Sequence, residues 1–107
     1  MARKAKANEK VLQLAIEGEL TIFRVAELKE VIMPAISLSQ EVEVDLSRVS
    51  DIDAAGLQLM ISAKLEAWEH SKTLHFIGHS ATVTDAIDLC GLSGFFGDPI
   101  HISSQAD

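Results

Sequence analysis

The sequence is short of the residues that support several common kinds of function. It holds one cysteine, Cys90, in 107 residues, so an internal disulfide framework is excluded. Nine Lys and Arg face sixteen Asp and Glu, and the net charge of −7 argues against nucleic-acid binding and against an anionic membrane partner. No apolar run approaches the ~20 residues that span a bilayer, and no signal-peptide core follows the basic N terminus. We therefore expect a cytoplasmic protein.

The motifs of common enzymes and metal sites are absent too. The sequence has no Gly-rich phosphate loop and no G-x-S-x-G nucleophile motif. Asp51 and Asp53 could in principle bind Mg²⁺ or serve as acid and base, but no third ligand accompanies them. No two of the four histidines lie four residues apart on a predicted helix: His70, His75, His79 and His101. We expect no catalysis, no metal and no cofactor.

Length and composition indicate one globular domain. With 48% hydrophobic and 23% charged residues, the chain is long enough to bury a real core. Residues 1–10 are polar and rich in Ala and Lys, and we expect them to be disordered. We place the folded domain at residues 11–102 and expect a loose tail at 103–107.

The most informative stretch is a strand, a short acidic loop and the start of a helix. Glu41–Leu46 alternates apolar and polar residues, which predicts a strand, and Ser47–Ile52 is predicted to be a loop. From Leu57 onward, apolar residues recur at three- and four-residue spacing. They predict a helix from Ala54 to about His70 with a broad apolar face that includes Leu65 and Trp68.

Asp53 and Gly56 define the start of that helix. The Asp53 side chain is placed to accept a hydrogen bond from the backbone of Ala55 or Gly56, and its charge suits the positive end of the helix dipole. Glycine in a first helical turn costs about 1 kcal/mol relative to alanine. Gly56 is therefore interpreted as a residue kept for space or for backbone geometry. A well-capped helix start without any function explains these residues equally well.

The rest of the chain supplies further strands and helices in alternation. Val11–Glu17 and Leu20–Ile22 are predicted to form a hairpin around Gly18. A first helix is predicted at Phe23–Leu38, continuing with a kink at Pro34. A strand is predicted at Thr73–Ile77, and an edge strand at Pro99–Ile102. Between them we predict a helix at Ala81–Leu89, which is capped by Ser80 and ends at Gly91. Cys90 is expected to face inward, and Phe95 and Phe96 are expected in the core.

The predicted order is β-β-α-β-α-β-α-(β), which indicates an α/β fold. In this order the stretch VEVDLSRVSDIDAAGLQLM and the later HSATVTDAIDLCGLSGFF resemble the STAS domain family. The family pattern, an apolar strand leading into Asp-Ser/Thr-x-Gly-Leu, corresponds to Asp53–Leu57. The resemblance covers about Val11 to Ile102. It implies a small mixed sheet packed with amphipathic helices and no catalytic activity.

The resemblance also implies a partner. Anti-sigma factor antagonists of this family bind an anti-sigma factor that is also a serine kinase, and phosphorylation after the motif Asp turns the complex off. By this resemblance the partner-binding residues are Ser50, Asp51, Asp53, Ala54, Ala55, Gly56 and Leu57. A phosphate there would add a charge of about −1.5 to −2 beside two carboxylates.

The sequence departs from the family pattern at the phosphoacceptor. Ala54 occupies that position and Ala55 follows, so neither offers a hydroxyl. Three explanations stay open: a variant that docks constitutively, regulation through another hydroxyl such as Ser50, or an engineered alanine. The partner is expected to be a kinase-type anti-sigma factor or another signalling protein, for example one linked to chemotaxis. The alternatives are an accessory subunit of an ABC-type lipid transporter, bound to its ATPase, and a nucleotide- or lipid-binding domain.

Overall fold

The computed structural model describes residues 11–96, which form a three-stranded sheet with helices between and after the strands. The order is β1-α1-β2-α2-β3-α3-α4. The strands are Val11–Leu20 (β1), Glu41–Ile52 (β2) and Thr73–Ile77 (β3). The helices are Val25–Leu38 (α1), Ala54–Glu69 (α2), Ala81–Leu89 (α3) and the short Ser93–Phe96 (α4). The α/β fold class and the alternation from α1 onward are confirmed.

The sheet has the order β1-β2-β3 and both of its strand pairs are parallel. Alternate residues of the first two strands are buried, and they build the core: Leu12, Leu14 and Ile16 from β1, and Val42, Val44 and Leu46 from β2. Both crossovers advance in the same direction along the sheet, so right-handed connections place α1 and α2 on one face. The opposite face carries polar side chains such as Gln13, which donates a hydrogen bond of 3.1 Å to Glu43.

The predicted N-terminal hairpin is wrong, because β1 is one continuous strand. Gly18 has a positive φ of 87°, as a turn residue would, yet it pairs with Val49 inside the β1–β2 ladder. The positive φ accompanies irregular pairing, with register shifts at Ala15–Glu17 and at Gly18–Glu19. Parallel pairing with β2 therefore replaces the hydrogen bonds that a hairpin would have made.

The predicted loop at Ser47–Ile52 is also wrong, since β2 continues to Ile52. Val49 is buried, while its neighbours Arg48 and Ser50 are exposed. The two register shifts each place one extra β2 residue opposite β1, which disturbs the alternation of burial expected for a strand. Because of this disturbance, residues 47–52 lack the alternating pattern that predicts a strand, and their sequence resembles that of a loop.

Several side chains lie elsewhere than predicted. Trp68 is 78% exposed and Leu65 is exposed as well, because neither lies on the buried side of α2. That side consists of Gly56, Leu57, Leu59, Met60, Ala63 and Ala67. Cys90 is exposed because it lies one residue beyond α3, at its C-cap. Phe96 is in the core and contacts Phe76 edge to face, but Phe95 is 43% exposed.

Other local predictions are confirmed. Helix α1 runs through Pro34 to Leu38, Ser80 Oγ accepts a hydrogen bond from the Val83 backbone, and Gly91 has the positive φ of a helix stop. The expected edge strand at Pro99–Ile102 and the terminal segments 1–10 and 103–107 lie outside the described residues. Within residues 11–96, no helix combines the length and apolar character needed to cross a bilayer.

Candidate functional site

The candidate site lies at the carboxyl edge of the sheet, where β1 and β2 end side by side. Leu20 at the end of β1 is the register partner of Ile52 at the end of β2. The chain then enters α2 directly, with Asp53 as the N-cap and Ala54 as the first helical residue. Parallel strands bring their carboxyl ends to one edge, and a helix that starts there presents its free backbone N–H groups to the same edge.

Asp53 connects the two chain segments at this edge. Its Oδ1 accepts a hydrogen bond of 3.0 Å from the Gly56 backbone N–H, which confirms the predicted N-cap. Its Oδ2 accepts a second hydrogen bond of 3.0 Å from the backbone N–H of Ile22, which follows β1. The hydrogen bonds from Ile22 and Gly56 lower the pKa of the Asp53 carboxyl, because both stabilise its charged form.

Gly56 allows α2 to lie directly against the end of β1. A Cβ atom at this position would collide with the carbonyl oxygen of Leu20 and would press on the Leu20 side chain. The backbone of β1 therefore occupies the space that a side chain would need. This contact gives the physical reason for the glycine in the first turn, and the reason is space.

The predicted site residues divide into exposed and buried ones. Ser50, Asp51 and Ala54 are exposed, and Asp53 and Ala55 are partly buried. Gly56 and Leu57 are buried, so they support the first turn of α2 from the side of the core and offer little surface to a partner. The structure thus brings the predicted residues together at one edge, with Ala54 outermost in the first turn of α2.

Ser50 and Asp51 lie on the irregular last part of β2. Val49 pairs with Gly18 and Asp51 pairs with Glu19, so Ser50 is the extra residue of the second register shift. The pairing places the acidic residues Glu19 and Asp51 opposite each other on neighbouring strands. Arg24 Nη1 donates to the Glu19 carbonyl oxygen at 2.9 Å, so this end of the sheet carries one cation beside its carboxylates.

The turn between β1 and α1 also lies at this edge, although the sequence pattern does not predict it there. Ile22 is 60% exposed and Phe23 is 86% exposed, and the Ile22 backbone is hydrogen-bonded to Asp53. The sequence pattern instead predicts that Ile22 ends a strand and that Phe23 begins a helix. One signal was available: Phe23 is out of phase with the helical stripe of Val25, Leu28 and Ile32, so it could not join the core through α1.

No group of three His, Cys, Asp or Glu side chains within residues 11–96 is arranged to hold a metal ion. His75 Nε2 lies 3.3 Å from a carboxylate oxygen of Glu41 on the polar face of the sheet. His79 is half-buried, and burial lowers its pKa because the charged imidazolium is poorly solvated there.

The sequence model of the family described as "Mlab, STAS domain" matches residues 4–100, which is most of the chain. The chain therefore belongs to the STAS domain family.

Relatives and solved structures agree with this assignment. An anti-sigma-B factor antagonist of Staphylococcus epidermidis is 29% identical over 96 residues, covering 89% of this chain and 85% of that protein. The anti-sigma factor antagonist SpoIIAA in its unphosphorylated form superposes with a TM-score of 0.72 at 18% identity, covering 95% of this chain and 92% of that one. An anti-sigma factor antagonist from Mycobacterium paratuberculosis gives a TM-score of 0.74 at 17% identity, with 90% and 81% covered. The chain is therefore similar to anti-sigma factor antagonists in sequence and in fold.

Proposed function

We propose that the chain is a non-catalytic interaction module of a bacterial signalling switch. It docks a kinase-type anti-sigma factor, or a related signalling protein, through the segment Ser50–Leu57. The observation that carries the proposal is the geometry of Asp53, which fixes the first turn of α2 against β1 and leaves Ala54 exposed at its tip. A partner would meet a preformed turn, which reduces the entropy cost of docking.

In this proposal Ala54 occupies the place of the family's phosphoacceptor. Its side chain is a methyl group, so a kinase partner could bind this turn without modifying it, and docking would then be constitutive. Ser50 is the nearest exposed hydroxyl in β2 and is the candidate for a replacement acceptor. A negative charge at position 54 would lie next to Asp53 and near Asp51, and we expect it to weaken docking.

A second candidate is the accessory subunit of an ABC-type lipid transporter. Some single-domain proteins of the STAS family serve in such transporters, and the family model that matches is described as "Mlab, STAS domain", not as an antagonist. In this case the same edge of the sheet would contact a transporter ATPase. The two candidates share a protein partner and differ in its identity.

The test is affinity capture from the organism's own cell extract, with the wild-type chain and Ala54→Glu side by side. The relevant partner is the protein that the wild type retains and that Ala54→Glu loses, identified by mass spectrometry. A kinase-type ATPase supports the first candidate, and a transporter ATPase supports the second. If no protein distinguishes the two baits, or if the isolated domain shows real turnover, the proposed function is wrong.

A further inference from the structure

The turn between β1 and α1 holds two exposed apolar side chains on a backbone that is hydrogen-bonded throughout. The N–H of Ile22 donates to Asp53 Oδ2 at 3.0 Å, and the N–H of Phe23 lies 3.4 Å from Thr21 Oγ1. The next two N–H groups, of Arg24 and Val25, both donate to the Thr21 carbonyl at 2.8 and 3.0 Å. Four consecutive backbone donors are thus satisfied, and Thr21 itself is buried.

This rigidity distinguishes Ile22 and Phe23 from apolar residues on a loose loop. Scattered exposed apolar residues are normal on protein surfaces. Here, however, two such residues are adjacent, exposed by 60% and 86%, and positioned by the same carboxylate that caps α2. An apolar side chain on a preformed backbone loses little entropy on binding, which is the property of an interface anchor.

Carboxylates border this pair. Glu19 and Asp51 are register partners on β1 and β2, and the Asp53 carboxylate accepts the hydrogen bond from the Ile22 backbone. The Thr21 hydroxyl links the acidic edge to the turn, because it lies 3.1 Å from Glu19 Oε1 and also accepts from Phe23. One cation of the chain lies at the same edge, because Arg24 Nη1 donates to the Glu19 carbonyl oxygen at 2.9 Å. The three carboxylates outnumber it, so cationic groups on a partner would complement the remaining negative charge.

We propose that Ile22 and Phe23 are the apolar anchor of the docking surface, and that the partner protein presents an apolar groove flanked by Lys or Arg side chains. This inference rests on the proposed function, since it specifies the surface and the partner chemistry of the same edge. The apolar groove of the partner binds the Phe23 side chain, and the partner's Lys or Arg side chains lie opposite Glu19 and Asp51. The first turn of α2 then forms the adjoining part of one continuous interface.

The test uses the partner defined above, the protein that the wild-type chain retains and Ala54→Glu loses, after its purification. Binding is measured for the wild type, Phe23→Ser, Ile22→Ser and Leu89→Ser. Leu89 is the matched control because it is an apolar residue, 89% exposed, at the C-terminal end of α3. We expect Phe23→Ser to weaken binding at least about tenfold and Leu89→Ser to leave it unchanged, because truncation of an interface anchor typically has an effect of this size.

The acidic border gives a second readout. Neutralising it with Glu19→Gln and Asp51→Asn should slow association several-fold at low salt and flatten its dependence on ionic strength, because rim charges act mainly on the association rate. Each variant is checked by circular dichroism and thermal unfolding, so that a loss of binding is not a loss of fold.

The outcomes separate the two levels of the proposal. If Ala54→Glu weakens binding while Phe23→Ser and Ile22→Ser bind like the wild type, the apolar anchor is refuted and the proposed function stands. If the neutralised border leaves the rate and its salt dependence unchanged, the basic flank is refuted. If no protein separates the wild type from Ala54→Glu, the proposed function falls, and the anchor falls with it.

Discussion

Gly56 in the first turn of α2 lies against the carbonyl oxygen of Leu20 at the end of β1, with no room for a side chain between them. Gly56→Ala should therefore push α2 away from the sheet and destabilise the fold by about 1–3 kcal/mol, the usual range for overpacking. Chemical denaturation measures the change. Gly94→Ala is the control because a Cβ there meets nothing within 4 Å. Equal stability of both variants would show that the contact is not a constraint.

The dual role of Asp53 leads to a pH dependence. An asparagine can accept through one atom only, so Asp53→Asn can satisfy Gly56 or Ile22 but not both, and we expect lower stability at pH 7. The folded pKa of Asp53 lies below its unfolded value, so its contribution is complete above the unfolded pKa of about 3.9 and is lost as pH falls through the folded pKa. The difference in melting temperature between the wild type and Asp53→Asn should shrink from pH 7 to pH 2.5. A constant difference would contradict the assigned role of the carboxylate charge.

Lys72, in the connection between α2 and β3, binds the C-terminal end of α1. Its Nζ donates to the carbonyl oxygens of Ile36, Ser37 and Ser39 at 3.2, 3.1 and 2.8 Å, which otherwise lack helical partners. Lys72→Met keeps the aliphatic stem and should cost about 1–2 kcal/mol in the free energy of unfolding. Lys29→Met, at an exposed position on α1, should change it by less than about 0.5 kcal/mol. Similar losses in both variants would rule out a specific capping role.

The position of Ala54 predicts a gain of function. If the partner is a serine kinase, Ala54→Ser places a hydroxyl on the exposed first residue of α2, and we expect it to incorporate phosphate at position 54, where the wild type has no acceptor. Purified partner, ATP and mass spectrometry of the tryptic peptides measure this. Any label in the wild type should map to Ser50 and disappear in Ser50→Ala. Equal labelling of Ala54→Ser and the wild type would contradict the assignment of position 54 to the phosphoacceptor.

The sequence predicted those parts of the fold that depend on local patterns. Asp53 and Ser80 were recognised as caps because a short polar side chain preceded each helix, and α1 kept its phase through Pro34. The prediction of an N-terminal hairpin was wrong because a local pattern does not show the pairing partner of a strand. Residues 11–20 pair with β2, which lies about 30 residues further along the chain, and do not fold back at Gly18. The predicted burial of Trp68 was wrong because the packing partners of α2 determine which of its apolar residues are covered. The periodicity of the sequence does not show those partners.

The sequence predicts the contiguous residues of the candidate site, but not the residues that the fold brings beside them. Residues 50–57 are contiguous, so their proximity required no tertiary information. The position of Ile22 and Phe23 beside this stretch could not be found in the same way, since it depends on a hydrogen bond between Ile22 and Asp53, which are 31 positions apart. The fit of Gly56 against Leu20 has the same origin, because only the packed structure shows what fills the space beside the glycine.

The most direct test is a map of the surface that the partner covers. Amide chemical-shift changes of the ¹⁵N-labelled chain are followed during titration with the purified partner. The account predicts that the largest changes fall on the residues around Ile22, Phe23 and Asp53–Gly56, with the exposed α3 end at Leu89 unaffected. Shift changes confined to another part of the molecule, with this edge unaffected, would contradict it.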